Sequence, residues 1–156
     1  MAETTAFRVA DNILSFTAEH GDPVTNLKLQ KLLYYAQAWY LALYDVPLFD
    51  ERIEAWVHGP AVPPVYGNFK NAGWQPLAPP EKVPDVSSQV DSHIKDVLLA
   101  YGELSAYQLE ILTHGEYPWQ NARQGLAPDE PSNNVISHED MKNFYRARIN
   151  EQDQAR

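Results

Sequence analysis

The sequence contains no cysteine, which excludes disulfides and any metal site built on thiolates. Glycine-rich phosphate-binding loops, serine elbows and HExxH motifs are also missing, so no common nucleotide, hydrolase or metalloprotease signature is present. The five histidines are scattered along the chain without ligand spacing. We therefore expect no cofactor and no metal.

Long apolar runs are missing too. From Leu32 to Tyr44 the only strongly polar side chain is Gln37, and this run is too short to cross a bilayer. The first residues lack the basic and apolar regions of a signal peptide. These observations predict a cytoplasmic protein without a membrane partner.

Basic residues are scarce: 12 Lys and Arg stand against 21 Asp and Glu, and the net charge is -9. An acidic surface repels phosphate backbones, so nucleic acid is disfavoured as a main partner. The same surface attracts a basic protein partner. The simpler interpretation is that the acidic excess provides solubility alone.

The length of 156 residues predicts a single domain, 1–156, whose hydrophobic core is large enough to fold without disulfides or a metal ion. A buried helix at about 27–44 is its predicted centre, because apolar residues occupy nearly every face. The predicted core residues follow helical spacing on this element: Leu29, Leu32, Leu33, Ala36, Trp39 and Tyr40.

Periodicity and capping signals predict further helices around this centre. The last one begins near Ser137, which forms an approximate capping box with Asp140, and a polar tail follows at 150–156. The fold class is thus a mainly α, single compact helical domain. Its predicted outer helices span 5–19, 62–71, 88–101, 105–113 and 138–149, and a further turn or helix spans 116–123.

The segment near 52–58 alternates apolar and polar side chains, which predicts a short strand or extended segment. A lone strand is unstable, so it must pair with something or lie flat on the helices. Trp56 shares a face with Glu54 and His58, opposite Ile53. Two interpretations of Trp56 stay open: a lid on the helices or a contact for a partner.

Two basic residues also allow two interpretations. Lys31 enters the apolar half of the central helix, and Arg123 follows a Pro-Trp pair. Each could direct its charge to water along an apolar surface. Each could instead form an ion pair that positions a neighbouring segment or binds a partner.

Several strings in order resemble the Panacea antitoxin domain, a family that includes phage-associated GepA-like and SocA-like proteins. The strings are LKLQKLLYYAQAW at 27–39, PLF at 47–49, IEAW at 53–56, HGP at 58–60, and EYPW with AR at 116–123. The family commonly has GPV at the turn, whereas this chain has Gly59-Pro60-Ala61-Val62. The resemblance extends over about 5–123.

The resemblance implies a small, non-enzymatic antitoxin that neutralises the toxin encoded by a neighbouring gene through direct binding. One branch of the family acts as an adaptor that delivers its toxin to a cytoplasmic AAA+ protease, which is the alternative mechanism. The sequence is compatible with a monomer and with a homodimer. The residues predicted to bind the partner are aromatic or charged and lie beside turns: Trp56, His58, Pro60, Tyr66, Trp119 and Arg123.

The rival from another class is a small hydrolase that uses a carboxylate or His58. A strongly shifted pKa in a cleft would favour it.

Overall fold

Helix α2, Asn26–Tyr44, is the element on which the other helices pack. A computed structural model describes residues 2–154 of the chain, with side chains described through residue 151. Thr25 caps α2 by accepting a hydrogen bond from the Lys28 N–H, and Asp45 ends it in the left-handed conformation, at φ 60°. The predicted central helix is confirmed.

The residues predicted for the core lie where α2 is covered on all sides. Trp39 alone is half-buried, and its indole N–H donates to the Tyr101 hydroxyl over 2.7 Å. The other five have no exposed surface: Leu29, Leu32, Leu33, Ala36 and Tyr40.

Six further helices surround α2 within the described residues, as the periodicity predicts. They are α1 Ala6–Glu19, α3 Pro63–Phe69, α4 Ser88–Tyr101, α5 Ala106–His114, α6 Tyr117–Ala122 and α7 His138–Gln154. A 3₁₀ turn, Lys70–Ala72, extends α3. Of these helices α7 makes the most extensive contact with α2. In the described part of the chain, no helix combines the length and apolarity that crossing a bilayer requires.

The extended segment near 52–58 is confirmed as strand β1, Glu54–Trp56, which pairs with strand β2, Gly59–Ala61, in an antiparallel hairpin. The second strand was not predicted, because Gly59-Pro60 reads as a break. Pro60 lies opposite Ala55 in β2, a short edge strand where a missing N–H is tolerated.

A later stretch of chain, which we call the strap (131–136), covers the free edge of β1. The Ala55 N–H donates to the carbonyl of Asn134, and the Ile136 N–H donates to the carbonyl of Ile53, each over 2.8 Å. The strap supplies the additional pairing that a two-stranded hairpin needs.

Helix α7 begins as predicted, with the Ser137 hydroxyl accepting a hydrogen bond from the Asp140 N–H over 3.0 Å. The predicted end at Ile149 is wrong, since the helix continues to Gln154. The predicted polar tail is therefore helical over 150–154, and its last two residues lie outside the described part.

A polar cluster is buried between α2, α7 and the start of α6. The Glu116 carboxylate accepts hydrogen bonds from the hydroxyls of Tyr35 and Tyr145, over 2.8 and 2.9 Å. Arg148 lies 3.9 Å from its other oxygen. Burial raises the pKa of Glu116, and the two tyrosine hydrogen bonds oppose that shift. We call this group the Glu116 cluster.

Candidate functional site

A cavity of about 320 Å³ lies beside the hairpin, bounded also by α2, α3 and the strap. Its walls are mainly apolar and come from Leu27, Trp56, Val57, Ala61, Tyr66 and Pro131. Polar lining side chains belong to Gln30, Lys31, His58 and Ser132. We call this cavity the hairpin pocket.

A second cavity of about 270 Å³ adjoins the hairpin pocket and shares Leu27, His58 and Tyr66 with it. Trp74 also lines this second cavity and is 82% exposed. We call the two adjoining cavities together the hairpin groove.

Trp56 and Tyr66 stand side by side on the pocket, with ring centroids 5.0 Å apart and planes at 76°. Both are half-buried. The Trp56 indole N–H donates to the Glu54 carboxylate over 2.8 Å, which fixes the ring and leaves its face toward the pocket. These two rings give the pocket a rigid aromatic side.

Lys31 lies at the floor of the hairpin pocket and is only 1% exposed. Burial lowers the pKa of its ammonium to about 7, and the nearby Glu110 carboxylate opposes this shift. No ion pair within 4 Å and no hydrogen bond among the described residues involves its Nζ. The Lys31 ammonium is thus accessible from the hairpin pocket alone, and the positioning ion pair that the sequence allows is not formed within the described residues.

The hairpin turn closes over the Lys31 side chain. A Cβ built on Gly59 would lie 3.1 Å from Lys31 Cε and 3.0 Å from the Thr113 hydroxyl. Gly59 also has φ 105°, a conformation that residues with a side chain rarely adopt. Glycine is therefore required here both by the backbone conformation and by the space.

His58 forms the outer rim. Its Nδ1 lies 2.9 Å from the Glu110 carboxylate, which ties the hairpin turn to α5, and its side chain is 70% exposed. Of the residues predicted to bind a partner, the structure brings Trp56, His58 and Tyr66 together on this pocket.

Trp119 and Arg123 lie behind the hairpin rather than on its open side. The Trp119 indole N–H donates to the carbonyl of Trp56 over 2.9 Å, and the ring is 4% exposed. Arg123 is 2% exposed, lies 4.7 Å over the Trp119 ring, and donates to the carbonyls of Ala55 and Glu130. Both side chains thus hold the hairpin and present little surface to a partner.

Pro60, also predicted to contact a partner, is buried inside β2. Two contributors to the site were missed, Glu110 and the strap residues Pro131 and Ser132. Only the long-range pairing of the strap with β1 brings these strap residues to the pocket, and no local pattern signals it. Among residues 2–154, no group of three or more potential ligands could hold a metal ion.

These observations describe a small, mainly α domain with an apolar, aromatic-sided groove that contains one buried cation. The family model described as "Antitoxin SocA-like, Panacea domain" matches residues 29–120, and the chain belongs to this family. The match includes most of α2, the hairpin and the start of α6, whereas the strap and α7 lie beyond it.

A relative with a similar name matches most of the chain. The chain is 34% identical over 130 residues to Antitoxin SocA of Caulobacter vibrioides (strain NA1000 / CB15N), a match that covers 75% of this chain and 69% of that protein. No solved structure matches the chain.

Proposed function

We propose that this protein is an antitoxin that neutralises a cognate toxin by direct protein–protein binding, and that the hairpin groove is the surface it uses. The observation that carries the proposal is the Trp56–Tyr66 pair, which stands on an apolar pocket within the part of the chain that the family model matches. The relative named Antitoxin SocA supports the same role.

The chemistry of the groove suits a protein partner. Tryptophan and tyrosine are enriched at the centres of binding interfaces, because they bury much area at low conformational entropy. An apolar wall beside them gains further when a partner displaces water. The net charge of -9 would speed the approach of a basic toxin.

The direct test uses the gene adjacent to that of this protein. Its product is expressed alone and together with this protein, growth is measured, and the two proteins are then purified together. We expect arrested growth that this protein restores, with both proteins eluting as one complex. A neighbouring product that is toxic but neither bound nor counteracted would contradict the proposal.

The surface is tested with the double variant Trp56→Ala plus Tyr66→Ala. We expect it to lose toxin binding and protection, while urea unfolding still shows one cooperative transition. The matched control is Tyr117→Ala, which removes an aromatic side chain that is 53% exposed and outside the pocket lining. A double variant that folds and still protects would place the binding surface elsewhere.

The same cells separate occlusion from delivery to a AAA+ protease. Occlusion predicts that the toxin's lifetime is unchanged or extended in the presence of this protein. A toxin lifetime that falls with this protein, and recovers in cells lacking the protease, would replace occlusion by the adaptor mechanism.

One observation favours the rival enzymatic class. Lys31 combines burial in a pocket with a pKa of about 7, which is the property of an amine poised for catalysis. The variant Lys31→Arg separates the classes, because arginine keeps the charge but cannot act as an amine nucleophile. Protection that survives in this variant favours binding, whereas loss of protection with intact folding and retained toxin binding favours the enzyme.

A further inference from the structure

Lys31 forms no ion pair within 4 Å among the described residues, although the Glu110 carboxylate acts on its charge from a greater distance. Placing an ammonium group in an apolar environment is unfavourable unless it is paired, and truncation or neutral replacement at such a site would relieve the penalty. Lys31 nevertheless lies at the floor of the pocket that the proposed function assigns to the toxin.

The other polar groups of the pocket are already engaged. Gln30 accepts a hydrogen bond from the Val62 N–H over 2.8 Å and donates to Asn26 over 2.9 Å. The Trp56 indole N–H donates to Glu54. Among the described lining residues, Lys31 is thus the cationic donor still available to an incoming group.

The groups that face Lys31 determine which ligand it accepts. Glu110 is the carboxylate that acts on its charge, but His58 already holds this carboxylate at 2.9 Å. The remaining lining is mainly apolar and contributes no further carboxylate. A ligand that brings its own carboxylate would complete the ion pair in a medium of low dielectric, where the pair is strongest.

We propose that the hairpin pocket binds one acidic side chain, Glu or Asp, carried by an apolar stretch of the partner protein, and that Lys31 pairs with its carboxylate. This inference rests on the proposed function, since the partner is the toxin. The apolar walls contact the residues that flank the acidic one, and the carboxylate reaches the floor.

The shape of the groove favours a side chain over a chain terminus. The second cavity adjoins the hairpin pocket and extends toward Trp74. A segment that fills both cavities must continue beyond the residue that reaches Lys31. A C-terminal carboxylate would leave the second cavity empty.

The test uses the isolated protein and three synthetic peptides. The first is acetylated and amidated with the sequence Leu-Val-Glu-Leu, the second replaces Glu by Gln, and the third is acetyl-Leu-Val-Leu with a free C-terminal carboxylate. Binding is followed by NMR of the Lys31 ε-methylene group and the Trp56 indole. We expect the Glu peptide to bind at least roughly tenfold more tightly than the Gln peptide and to raise the titration midpoint of Lys31.

Variants assign the preference to the lysine. Lys31→Met, which removes the charge from an apolar site and should fold, is expected to bind the Glu and Gln peptides equally. Lys82→Met, a change on an exposed loop, is expected to keep the preference. Equal binding of both peptides to the wild-type protein, or an unmoved Lys31 signal with all three, would overturn the inference.

Tighter binding of the free C-terminal peptide than of the Glu peptide would also overturn it, in favour of a chain terminus. Because no toxin is present, these outcomes concern the pocket alone. The proposed function fails separately, in the growth experiment.

Discussion

Two buried ionisable groups, Lys31 on α2 and Glu116 beside it, differ in their hydrogen-bond partners. Glu116 accepts two tyrosine hydrogen bonds inside the Glu116 cluster, whereas Lys31 has no ion pair or hydrogen bond among the described residues. A buried polar group with its partners in place holds elements together, since removing either side leaves the other unsatisfied. A buried charge without partners weakens the fold and is understandable only through what it binds.

The largest loss of stability is expected from removing the Glu116 carboxylate, which has its hydrogen-bond partners in place. Glu116→Ala leaves the hydroxyls of Tyr35 and Tyr145 buried without their acceptor, so we expect the free energy of unfolding to fall by about 3 kcal/mol or more. Urea unfolding measures the loss. Glu116→Gln retains an acceptor and should lose less than half as much. A loss below about 1 kcal/mol for Glu116→Ala would show that the cluster does not support the fold.

At Lys31 we expect a neutral substitution to raise the free energy of unfolding rather than to lower it. Its pKa is about 7 in the folded protein and ordinarily 10.5, so below pH 7 the folded state bears the full penalty of the buried charge. Lys31→Met should therefore be more stable than the wild-type protein at pH 6, and this advantage should shrink by about 2 to 3 kcal/mol by pH 9. Paired urea titrations at the two pH values measure the difference, and a constant difference would contradict the shifted pKa.

The contrast between the regions also shows what could be predicted. The central helix, the extended segment and the start of α7 follow from local patterns: an all-round apolar run, alternation over 53–57, and a capping serine. The burial of Trp119 and Arg123 does not, because their partners are backbone carbonyls of the hairpin and of the loop that precedes the strap. A residue beside a turn has the same sequence signature whether it supports the turn or is exposed on it.

Lys31 illustrates the same limit for the candidate site. The spacing places it on α2, but its isolation depends on the hairpin turn that closes over it and on His58, which holds Glu110. These contacts join residues far apart in the chain. The sequence therefore predicts the aromatic side of the pocket and leaves its floor and strap wall undetermined.

A glycine pair measures how tightly the turn covers Lys31. Gly59→Ala meets both a positive φ of 105° and close contacts, so we expect a loss of about 3 kcal/mol. Gly21→Ala, with φ 73° and nothing within 4 Å of the new Cβ, should lose only about 1 kcal/mol. Similar losses for the two variants would show that the hairpin turn can move away from Lys31 without strain.

The smallest effect concerns Arg148, whose side chain is 49% exposed and lies 3.9 Å from Glu116. Water screens such a pair, so Arg148→Ala should change the free energy of unfolding by no more than about 0.5 kcal/mol. The same urea experiment checks this. A loss comparable to that of Glu116→Ala would mean that the arginine, rather than the tyrosines, neutralises the buried carboxylate.

The late position of the strap in the chain determines the order in which the walls of the hairpin pocket form during synthesis. Helix α2 and the hairpin leave the ribosome before the strap, so Pro131 and Ser132 complete the wall only after these elements have been made. The family match ends at residue 120, so this last wall lies outside the matched core. Changes in the strap can therefore reshape the pocket while the helices around α2 stay the same.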